Sequence, residues 1–315
     1  MKAFVQYEYG GPEVLTLETV ERPVPKEDEI LVEIKAISVN PADWHLMRAS
    51  PFFIRIISGL FKPRNKIIGA DFAGTVVDLG PNIKEYQIGD EVFGEASFGS
   101  FAQFICVKKN QLSQKPENAT YEESACLGIA GLTALQGLRD HGKLKPGERV
   151  LINGSSGGVG HYCVQIAKAM EANVTAICSA KNKSFVEELG ADKVIDYNRV
   201  NIHTHSEHFD LTVDVYGNLT YDDFKRFAGE NGIGIMIGFT GMGGMMKVMM
   251  RSIFGKANIK SFTASAKAED LKTLSELYTD GKIRTRIEKI YPFEELPEAI
   301  AHLEKMHTQG KLAIH

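Results

Sequence analysis

A glycine-rich turn between an apolar strand and an amphipathic helix constrains the fold of this chain more than any other feature. Residues 150–160 read VLINGSSGGVG, and apolar side chains then recur at helical spacing as far as Met170. Glycine lets the backbone approach a bound group closely, and a helix N-terminus offers free N–H donors and a positive dipole end. The spacing is G-x-x-G-x-x-G, so a tight turn without a ligand stays the alternative. We predict that the turn binds a pyrophosphate through Gly154, Ser155, Ser156, Gly157, Gly158, Val159 and Gly160.

Strand and helix signals alternate along the second half of the chain. Residues 121–138 have helical spacing, and apolar strands then alternate with helices from residue 149 to residue 262. This alternation is typical of βαβ units and predicts an α/β fold with a doubly wound parallel sheet. Residues 1–118 instead hold short apolar runs between Gly, Pro, Asn and Asp, which predicts a β-rich region, and no helix of clear length is indicated before Tyr121.

Composition excludes several classes of protein. The 315 residues hold 36 Lys and Arg against 40 Asp and Glu, a net charge of −4. At ~150 residues per domain the length predicts about two domains, and a weakly acidic chain has no overall field that attracts nucleic acid. The four cysteines form no CxxC pair, which fits a reducing compartment rather than a disulfide framework. We see no signal peptide and no membrane-spanning apolar segment, so we expect a cytoplasmic protein.

The end of the second predicted strand indicates which nicotinamide cofactor would bind. An Asp or Glu there would accept a hydrogen bond from the ribose 2′-hydroxyl of NAD. The chain instead reads SAKNK at residues 179–183 and has no acidic residue before Glu187. A hydroxyl, an amide and lysines suit a 2′-phosphate, which predicts NADPH, although two lysines are also common in a solvated loop.

Several segments together carry a resemblance to a known family. They read SVNPAD at 38–43, IGADFAG at 68–74, GDEVF at 89–93, AGLTA at 130–134 and LGADKVIDY at 189–197, besides the glycine turn. The chain resembles the zinc-free, quinone oxidoreductase (zeta-crystallin-like) branch of the medium-chain dehydrogenase/reductase superfamily over essentially its whole length. This resemblance implies a GroES-like β-barrel domain (1–118 and 266–315), a Rossmann NADPH-binding domain (119–265) and an active cleft between them. It also implies cofactor contacts from Ser179, Lys181 and Tyr197 at the adenosine phosphate end, and from Thr133, Gly238 and Phe239 at the nicotinamide end.

The same resemblance shows where zinc-dependent relatives bind their metal. Asn40 stands in place of the first cysteine ligand, and the Gly-His-Glu segment reads Gly69, Ala70 and Asp71. Residues 94–100 lack the cysteines of a structural zinc site. We therefore expect no metal site. A histidine cluster at residues 203–208 lies in a polar connection and is expected to be a solvated loop.

Without a metal, the nicotinamide itself carries the chemistry and favours electron-poor acceptors. We expect NADPH-dependent transfer of hydride to quinones or to activated enone or enal double bonds. Asn40 and Asp43 are the candidates for orienting the acceptor and relaying a proton, unless they only end a strand and cap the next element. The alternatives are an NAD(P)-dependent alcohol dehydrogenase and a catalytically idle, crystallin-like protein that binds NADPH.

Two further patterns concern partners. Apolar residues with scattered positive charge fill residues 52–62 and 245–254, which in the family lie near the mouth of the cleft. They suit a lipophilic small-molecule acceptor or, at most, peripheral contact with an anionic membrane, and burial with snorkelling lysine and arginine is the alternative. The Ile and Phe pattern of residues 258–262 predicts an exposed sheet edge that pairs with a second copy in a homodimer.

Overall fold

The chain folds into two compact units. The computed structural model describes residues 1–229, 231–238, 241–255 and 257–315. The first unit comprises Met1–Leu132, Ser265–Gly281 and Thr285–His315, and the second comprises Thr133–Ala264 and Lys282–Arg284. Residues 119–132, which the resemblance assigned to the second domain, lie in the first unit.

Strands and helices follow the chain in this order. The strands are β1 (Lys2–Val5), β2 (Thr16–Thr19), β3 (Glu29–Ser38), β4 (Asp71–Leu79), β5 (Glu91–Glu95), β6 (Phe104–Lys108), β7 (Leu112–Gln114), β8 (Arg149–Asn153), β9 (Asn173–Cys178), β10 (Lys193–Asp196), β11 (Leu211–Asp214), β12 (Ile233–Met236), β13 (Asn258–Ser261), β14 (Ile287–Tyr291) and β15 (Lys311–Ile314). The α-helices are α1 (Pro41–Arg48), α2 (Ile54–Ser58), α3 (Tyr121–Ala125), α4 (Gly128–Gln136), α5 (Gly160–Ala169), α6 (Lys183–Glu188), α7 (Tyr221–Ala228), α8 (Met242–Phe254), α9 (Ala268–Thr279) and α10 (Leu296–Leu303).

The first unit is built around a mainly antiparallel sheet. Its strands follow the order β14-β15-β3-β4-β5-β7, and β6 also pairs with β3. Only β14 and β15 are parallel neighbours among the described strands of this sheet. Alternate side chains of the strands point to one face, where Ile30, Phe72 and Leu112 are fully buried in the core, and Phe101 from the chain before β6 packs in the same core. The strands therefore form the β-rich unit that the first 118 residues predict.

Two short helices, α1 and α2, precede Tyr121, where the sequence indicates no helix of clear length. Pro41 occupies the first helical position of α1, where its missing N–H is not needed. The Asp43 carboxylate accepts the backbone N–H of Asn40 at 2.7 Å, which closes the start of the helix. Helix α1 ends after two turns at Ala49, whose φ is +46°. Caps rather than a long apolar period specify this helix, and a periodicity argument therefore passes over it.

The predicted helical stretch 121–138 is broken into α3 and α4. The backbone N–H of Ile129 donates to Asp71 at 2.7 Å instead of continuing α3. A Cβ on Gly128 would lie 2.2 Å from the same carboxylate, so the close approach requires glycine. A charged residue from β4 thus interrupts the helical pattern.

The second unit confirms the doubly wound parallel sheet. Its strands follow the order β10-β9-β8-β11-β12-β13 and all pair in parallel. Counted from β8, this is the 3-2-1-4-5-6 order of dinucleotide-binding folds. Strand β11 is fully buried, and α5 is buried over Gly160–Ala167, because helices cover the faces of a parallel sheet. Strand β13 ends the sheet among the described strands.

The two apolar, basic segments are largely exposed, so the alternative that they form buried core is wrong. Phe61 is 87% exposed and Ile56 70% in the first segment, and Met250 and Phe254 are exposed in the second. No helix within the described ranges is long and apolar enough to cross a membrane.

Candidate functional site

The glycine turn of residues 154–160 is held against strand β9. The N–H groups of Gly154 and Ser155 donate to the Ile177 carbonyl at 3.3 and 3.2 Å, and the Ser155 hydroxyl donates to the same oxygen at 2.9 Å. Gly154 has a φ of +82°, a left-handed conformation that favours glycine. Ser155 therefore shapes the turn with its side chain, whereas Ser156, Gly158 and Val159 are half-buried.

Two further glycines of the turn, Gly157 and Gly160, differ in what requires them. A Cβ on Gly160 would lie 2.1 Å from the Gly154 carbonyl oxygen, so the fold itself requires that glycine. A Cβ on Gly157 would meet only that oxygen, at an ordinary contact distance of 3.6 Å. Because the fold leaves space at Gly157, the turn fits a pyrophosphate that approaches the backbone in front of α5.

Two buried residues fix the loops at the point where the strand order reverses, which is where such sheets bind their ligands. Asn153 ends β8 and Asp214 ends β11, and the Asn153 amide donates to Asp214 at 2.7 Å. Asp214 also accepts the backbone N–H groups of Gly217 and Leu219, both at 2.8 Å. Burial raises the pKa of Asp214. Sequence reasoning missed this pair, whose partners become neighbours only in the sheet register.

The residues implied at the adenosine phosphate end follow β9 and β10. Ser179 is half-buried, and Lys181 and Tyr197 are exposed. In the part of the chain that the structure describes, Lys181 forms no ion pair, whereas the Lys183 ammonium lies 3.6 Å from Glu187. Lys181 is therefore the lysine that is available to a phosphate.

This segment is tied to the glycine turn and borders a cavity. The Asn182 amide donates to the Ser156 hydroxyl at 2.9 Å. Tyr197 lines an open cavity of about 450 Å³, together with residues 198–203 and Asn218. The structure thus brings the predicted phosphate and adenosine ends together at the carboxyl edge of the sheet.

The residues implied at the nicotinamide end come from α4 and from the chain after β12. Thr133 lies half-buried on α4. The Gly238 N–H donates to the Asp214 carbonyl at 3.3 Å, and a Cβ on Gly238 would lie 2.2 Å from the Val215 carbonyl oxygen. The fold itself therefore requires glycine at 238. Phe239 lies outside the described residues.

A buried polar network in the first unit surrounds Asp71. Its carboxylate accepts the Ser38 hydroxyl at 2.7 Å, the Asn40 amide at 2.8 Å and the Ile129 N–H at 2.7 Å. The Lys311 ammonium donates to the Asn40 amide oxygen at 2.6 Å and lies 3.8 Å from Asp71. Burying two opposite charges is tolerable here because Asp71 accepts three hydrogen bonds and Lys311 donates to both Asn40 and the Val39 carbonyl.

Two further carboxyl groups border this network. Burial raises the pKa of Asp43 to about 7. Glu95 stands opposite Asp71 in the register of β4 and β5, and burial together with the Asp71 charge raises the pKa of Glu95 to about 8. One Asp43 oxygen accepts the Asn40 N–H, and the other is buried without a hydrogen-bond partner among the described residues. Asn40 and Asp43 thus form the cap that the sequence offered as an alternative, and their role toward an acceptor stays a prediction.

The sequence candidates did not include Ser38, Asp71, Glu95 or Lys311 as site residues. These side chains come from four strands that are distant along the chain. A signal was present, because Asp71 and Lys311 each precede an apolar run (DFAG and KLAI), and both residues are buried in the structure. A charge inside such a run indicates a buried polar partner.

These residues do not fit a zinc ion. Asn40 offers an amide in place of a thiolate, donors occupy both Asp71 oxygens, and the Lys311 ammonium already supplies positive charge there. Within the described ranges, no three His, Cys, Asp or Glu side chains gather as a metal site would require.

The histidine cluster at 203–208 binds other protein groups. His203 Nδ1 lies 2.8 Å from Asp223, and His208 Nδ1 lies 2.8 Å from the Arg226 carbonyl oxygen. The three histidines therefore do not converge on a common point.

Comparison with known proteins places both units in one family. Residues 26–117 match the family model described as alcohol dehydrogenase GroES-like domain, and residues 189–314 match the one described as zinc-binding dehydrogenase. The chain is 33% identical to a chloroplast envelope quinone oxidoreductase homolog of Arabidopsis thaliana, over 98% of this chain and 97% of that protein. It is 31% identical to a mitochondrial NAD(P)H oxidoreductase of Homo sapiens, over 100% of this chain and 89% of that protein.

A solved structure agrees with these matches. The quinone oxidoreductase from Coxiella burnetii superimposes with a TM-score of 0.89 at 29% identity, covering 100% of this chain and 98% of that one. The expected combination of a GroES-like domain with a Rossmann-type parallel sheet is thereby confirmed. The chain belongs to the medium-chain dehydrogenase/reductase superfamily, in its quinone oxidoreductase branch, and is an oxidoreductase that uses a nicotinamide cofactor.

Proposed function

We propose that this chain is an NADPH-dependent reductase that transfers hydride to quinones or to enone and enal double bonds and needs no zinc. The buried Lys311 ammonium, 2.6 Å from the Asn40 amide oxygen and 3.8 Å from Asp71, carries this proposal. Alcohol oxidation in this superfamily needs a metal that polarises an alkoxide, and a resident ammonium repels a second cation at the same place. Electron-poor conjugated acceptors need no such metal.

The second unit binds the cofactor in this proposal. A bound, reduced nicotinamide supplies the hydride. The turn around Gly157 binds the pyrophosphate at the start of α5, and Ser179 and Lys181 bind the 2′-phosphate. Thr133 and Gly238 position the nicotinamide. The open space at Gly157 and the unpaired state of Lys181 within the described ranges support these assignments.

The first unit supplies the proton. Hydride addition to a conjugated acceptor leaves a negative charge, which one proton neutralises. Asp43 and Glu95 still hold protons near neutral pH, because their pKa values are raised to about 7 and about 8. In this proposal Asp43 donates the proton on its unpartnered oxygen to the reduced acceptor. The partly exposed Glu95 exchanges protons with water. Asn40 is a positioning residue, since its backbone N–H holds Asp43 and its amide is engaged by Asp71 and Lys311.

The experiment is a steady-state assay of NADPH oxidation with benzoquinones, naphthoquinones, enones and enals. Oxidation of primary and secondary alcohols with NADP⁺ is the comparison. We expect turnover with the conjugated acceptors and none with alcohols. Faster oxidation of alcohols would contradict the proposed acceptor class. Tight NADPH binding without turnover of any acceptor would instead indicate an idle binding protein.

A further inference from the structure

One segment of the first unit has a charge opposite to that of the rest of the chain. Residues 44–70 contain five Lys and Arg and no Asp or Glu. The other residues of the chain hold 31 Lys and Arg against 40 Asp and Glu, although the whole chain has a net charge of only −4. Positive charge without acidic neighbours in sequence is therefore concentrated in this segment.

The same segment exposes large apolar side chains. Most exposed apolar residues of a folded chain are scattered singly and need no explanation, as with Ile88 in the turn before β5. In residues 52–61, by contrast, five exposed apolar side chains fall within ten residues. We define the Phe61 patch as the exposed apolar residues Phe52, Phe53, Ile56, Leu60 and Phe61 together with Arg55, Lys62, Arg64 and Lys66.

Hydrogen bonds fix the backbone beneath the patch. The Tyr9 hydroxyl donates to the Gly59 carbonyl at 2.6 Å, and the Arg64 N–H donates to the Ser58 carbonyl at 2.8 Å. The Arg55 guanidinium lies over the rings of Tyr9 and Phe52, at 5.1 and 5.7 Å. The backbone that carries these apolar side chains is therefore fixed, although the side chains themselves are exposed.

The cations of the patch are available to an external anion. Lys62 and Arg64 form no ion pair among the residues that the structure describes, and Lys66 lies 4.7 Å from the centre of the Tyr7 ring. Helix α8 also exposes a methionine-rich face, but its Arg251 is paired with Asp222 at 2.7 Å, which leaves Lys247 as its single cation without an ion pair among the described residues. The charge argument is therefore stronger for the Phe61 patch than for α8.

We propose that the Phe61 patch docks this protein on the surface of an anionic lipid bilayer. Apolar side chains enter the boundary between headgroups and acyl chains, and the cations bind anionic headgroups. The combination of exposed aromatic and aliphatic residues with unopposed cations is the chemistry that such a surface recognises. The readout is binding of the protein alone, so the outcome is independent of the reductase activity proposed above.

The test is co-sedimentation of the full chain with vesicles of phosphatidylcholine alone or with an equal share of phosphatidylglycerol. One variant combines Ile56→Ser with Phe61→Ser, and a second combines Lys62→Glu with Arg64→Glu. The matched controls are Ile88→Ser, an isolated exposed apolar residue, and Lys143→Glu with Lys145→Glu, two exposed lysines of the second unit. Circular dichroism and Trp44 fluorescence check that each variant is folded.

We expect binding that requires phosphatidylglycerol. A basic side chain near an anionic surface contributes ~1 kcal/mol, and an apolar side chain that enters the headgroup boundary contributes at least as much. Each double variant should therefore lower the partition coefficient at least ~10-fold, and both controls should bind as the unaltered chain does. No binding to anionic vesicles, equal binding to neutral ones, or undiminished binding of the patch variants overturns the proposal. Loss of a dimer in the patch variants, without vesicle binding by the unaltered chain, would overturn it and make the patch an interface between copies.

Discussion

At the scale of single residues, the proposed preference for NADPH over NADH rests on Lys181. Its ammonium is exposed and unpaired within the described ranges, and a 2′-phosphate offers it a charge-assisted hydrogen bond. Such bonds contribute ~1.5–3 kcal/mol. Lys181→Ala should therefore weaken NADPH binding roughly 10- to 150-fold and leave NADH binding nearly unchanged.

Titration of both cofactors at fixed ionic strength measures this effect. Lys183→Ala is the matched control, because the Lys183 ammonium already pairs with Glu187 and should contribute little to the phosphate. Equal losses for NADPH and NADH would point to a folding defect. An effect confined to Lys183→Ala would transfer the role to that residue.

A second residue-scale prediction concerns Asp43 and pH. Burial raises its pKa from 3.8 to about 7, so the folded chain holds a proton that the unfolded chain releases. The free energy of unfolding therefore decreases as the pH rises from about 4 to about 7, by at most ~1.4 kcal/mol per unit of pKa difference. Asp43→Asn keeps an acceptor for the Asn40 N–H but removes this titration.

Denaturant unfolding at pH 5 and pH 8, followed by Trp44 fluorescence, measures the difference. Trp44 is the single tryptophan and adjoins Asp43 on α1, so it reports on the first unit. The variant should lose less stability between the two pH values than the unaltered chain, with Glu95 accounting for the remainder. Exposed Asp78→Asn should behave as the unaltered chain does. An undiminished pH dependence in Asp43→Asn would contradict the assignment.

At the scale of elements, substitutions at two glycines of the turn distinguish an effect on NADPH binding from an effect on folding. The fold leaves room for a side chain at Gly157, whereas a Cβ on Gly160 would collide with the Gly154 carbonyl oxygen at 2.1 Å. Gly157→Val should therefore abolish NADPH binding, because the side chain holds the pyrophosphate away from the N-terminus of α5. Its thermal midpoint should stay close to that of the unaltered chain.

Calorimetric titration and thermal unfolding measure the two effects in the same samples. Gly160→Ala is the comparison and should lower the thermal midpoint. If Gly157→Val binds NADPH normally, the pyrophosphate lies elsewhere.

The strands and helices differ in whether a local sequence pattern predicts them. Strands β8 to β13 and helix α5 follow long, regular apolar periods, and the sequence predicts them because burial on a parallel sheet demands that pattern. Helix α1 is specified by Pro41 and the Asn40 and Asp43 cap, which are also typical of turns. The break between α3 and α4 depends on Asp71, which comes from another strand. A local pattern cannot contain that contact.

At the scale of the whole molecule, the parallel sheet predicts a homodimer. Strand β13 ends the sheet among the described strands, and an uncovered edge of this kind is a template for pairing with a second copy. Light scattering at micromolar concentration should give twice the 34.8 kDa mass of the chain. A monomeric mass would contradict the prediction.

The two parts of the candidate site differ in how far the sequence predicts them. The glycine turn proposed to bind the cofactor is contiguous, so one segment of the sequence is enough to predict it. The network of Asn40, Asp71, Glu95 and Lys311 joins segments that meet only through the strand order of the first unit. The absence of the usual zinc ligands was visible in the sequence, but the ammonium that lies among those positions was not.

The central claim is that the chain reduces conjugated acceptors without a metal. It is tested most directly by the rate of NADPH oxidation with a benzoquinone before and after exhaustive chelation, with the zinc content of each sample measured. The Lys311 ammonium lies 2.6 Å from the amide oxygen of Asn40, the residue that stands in place of a zinc ligand of the zinc-dependent relatives. The rate should therefore not change on chelation or on addition of zinc. Loss of turnover on chelation, restored by zinc in proportion to the metal bound, would contradict the account.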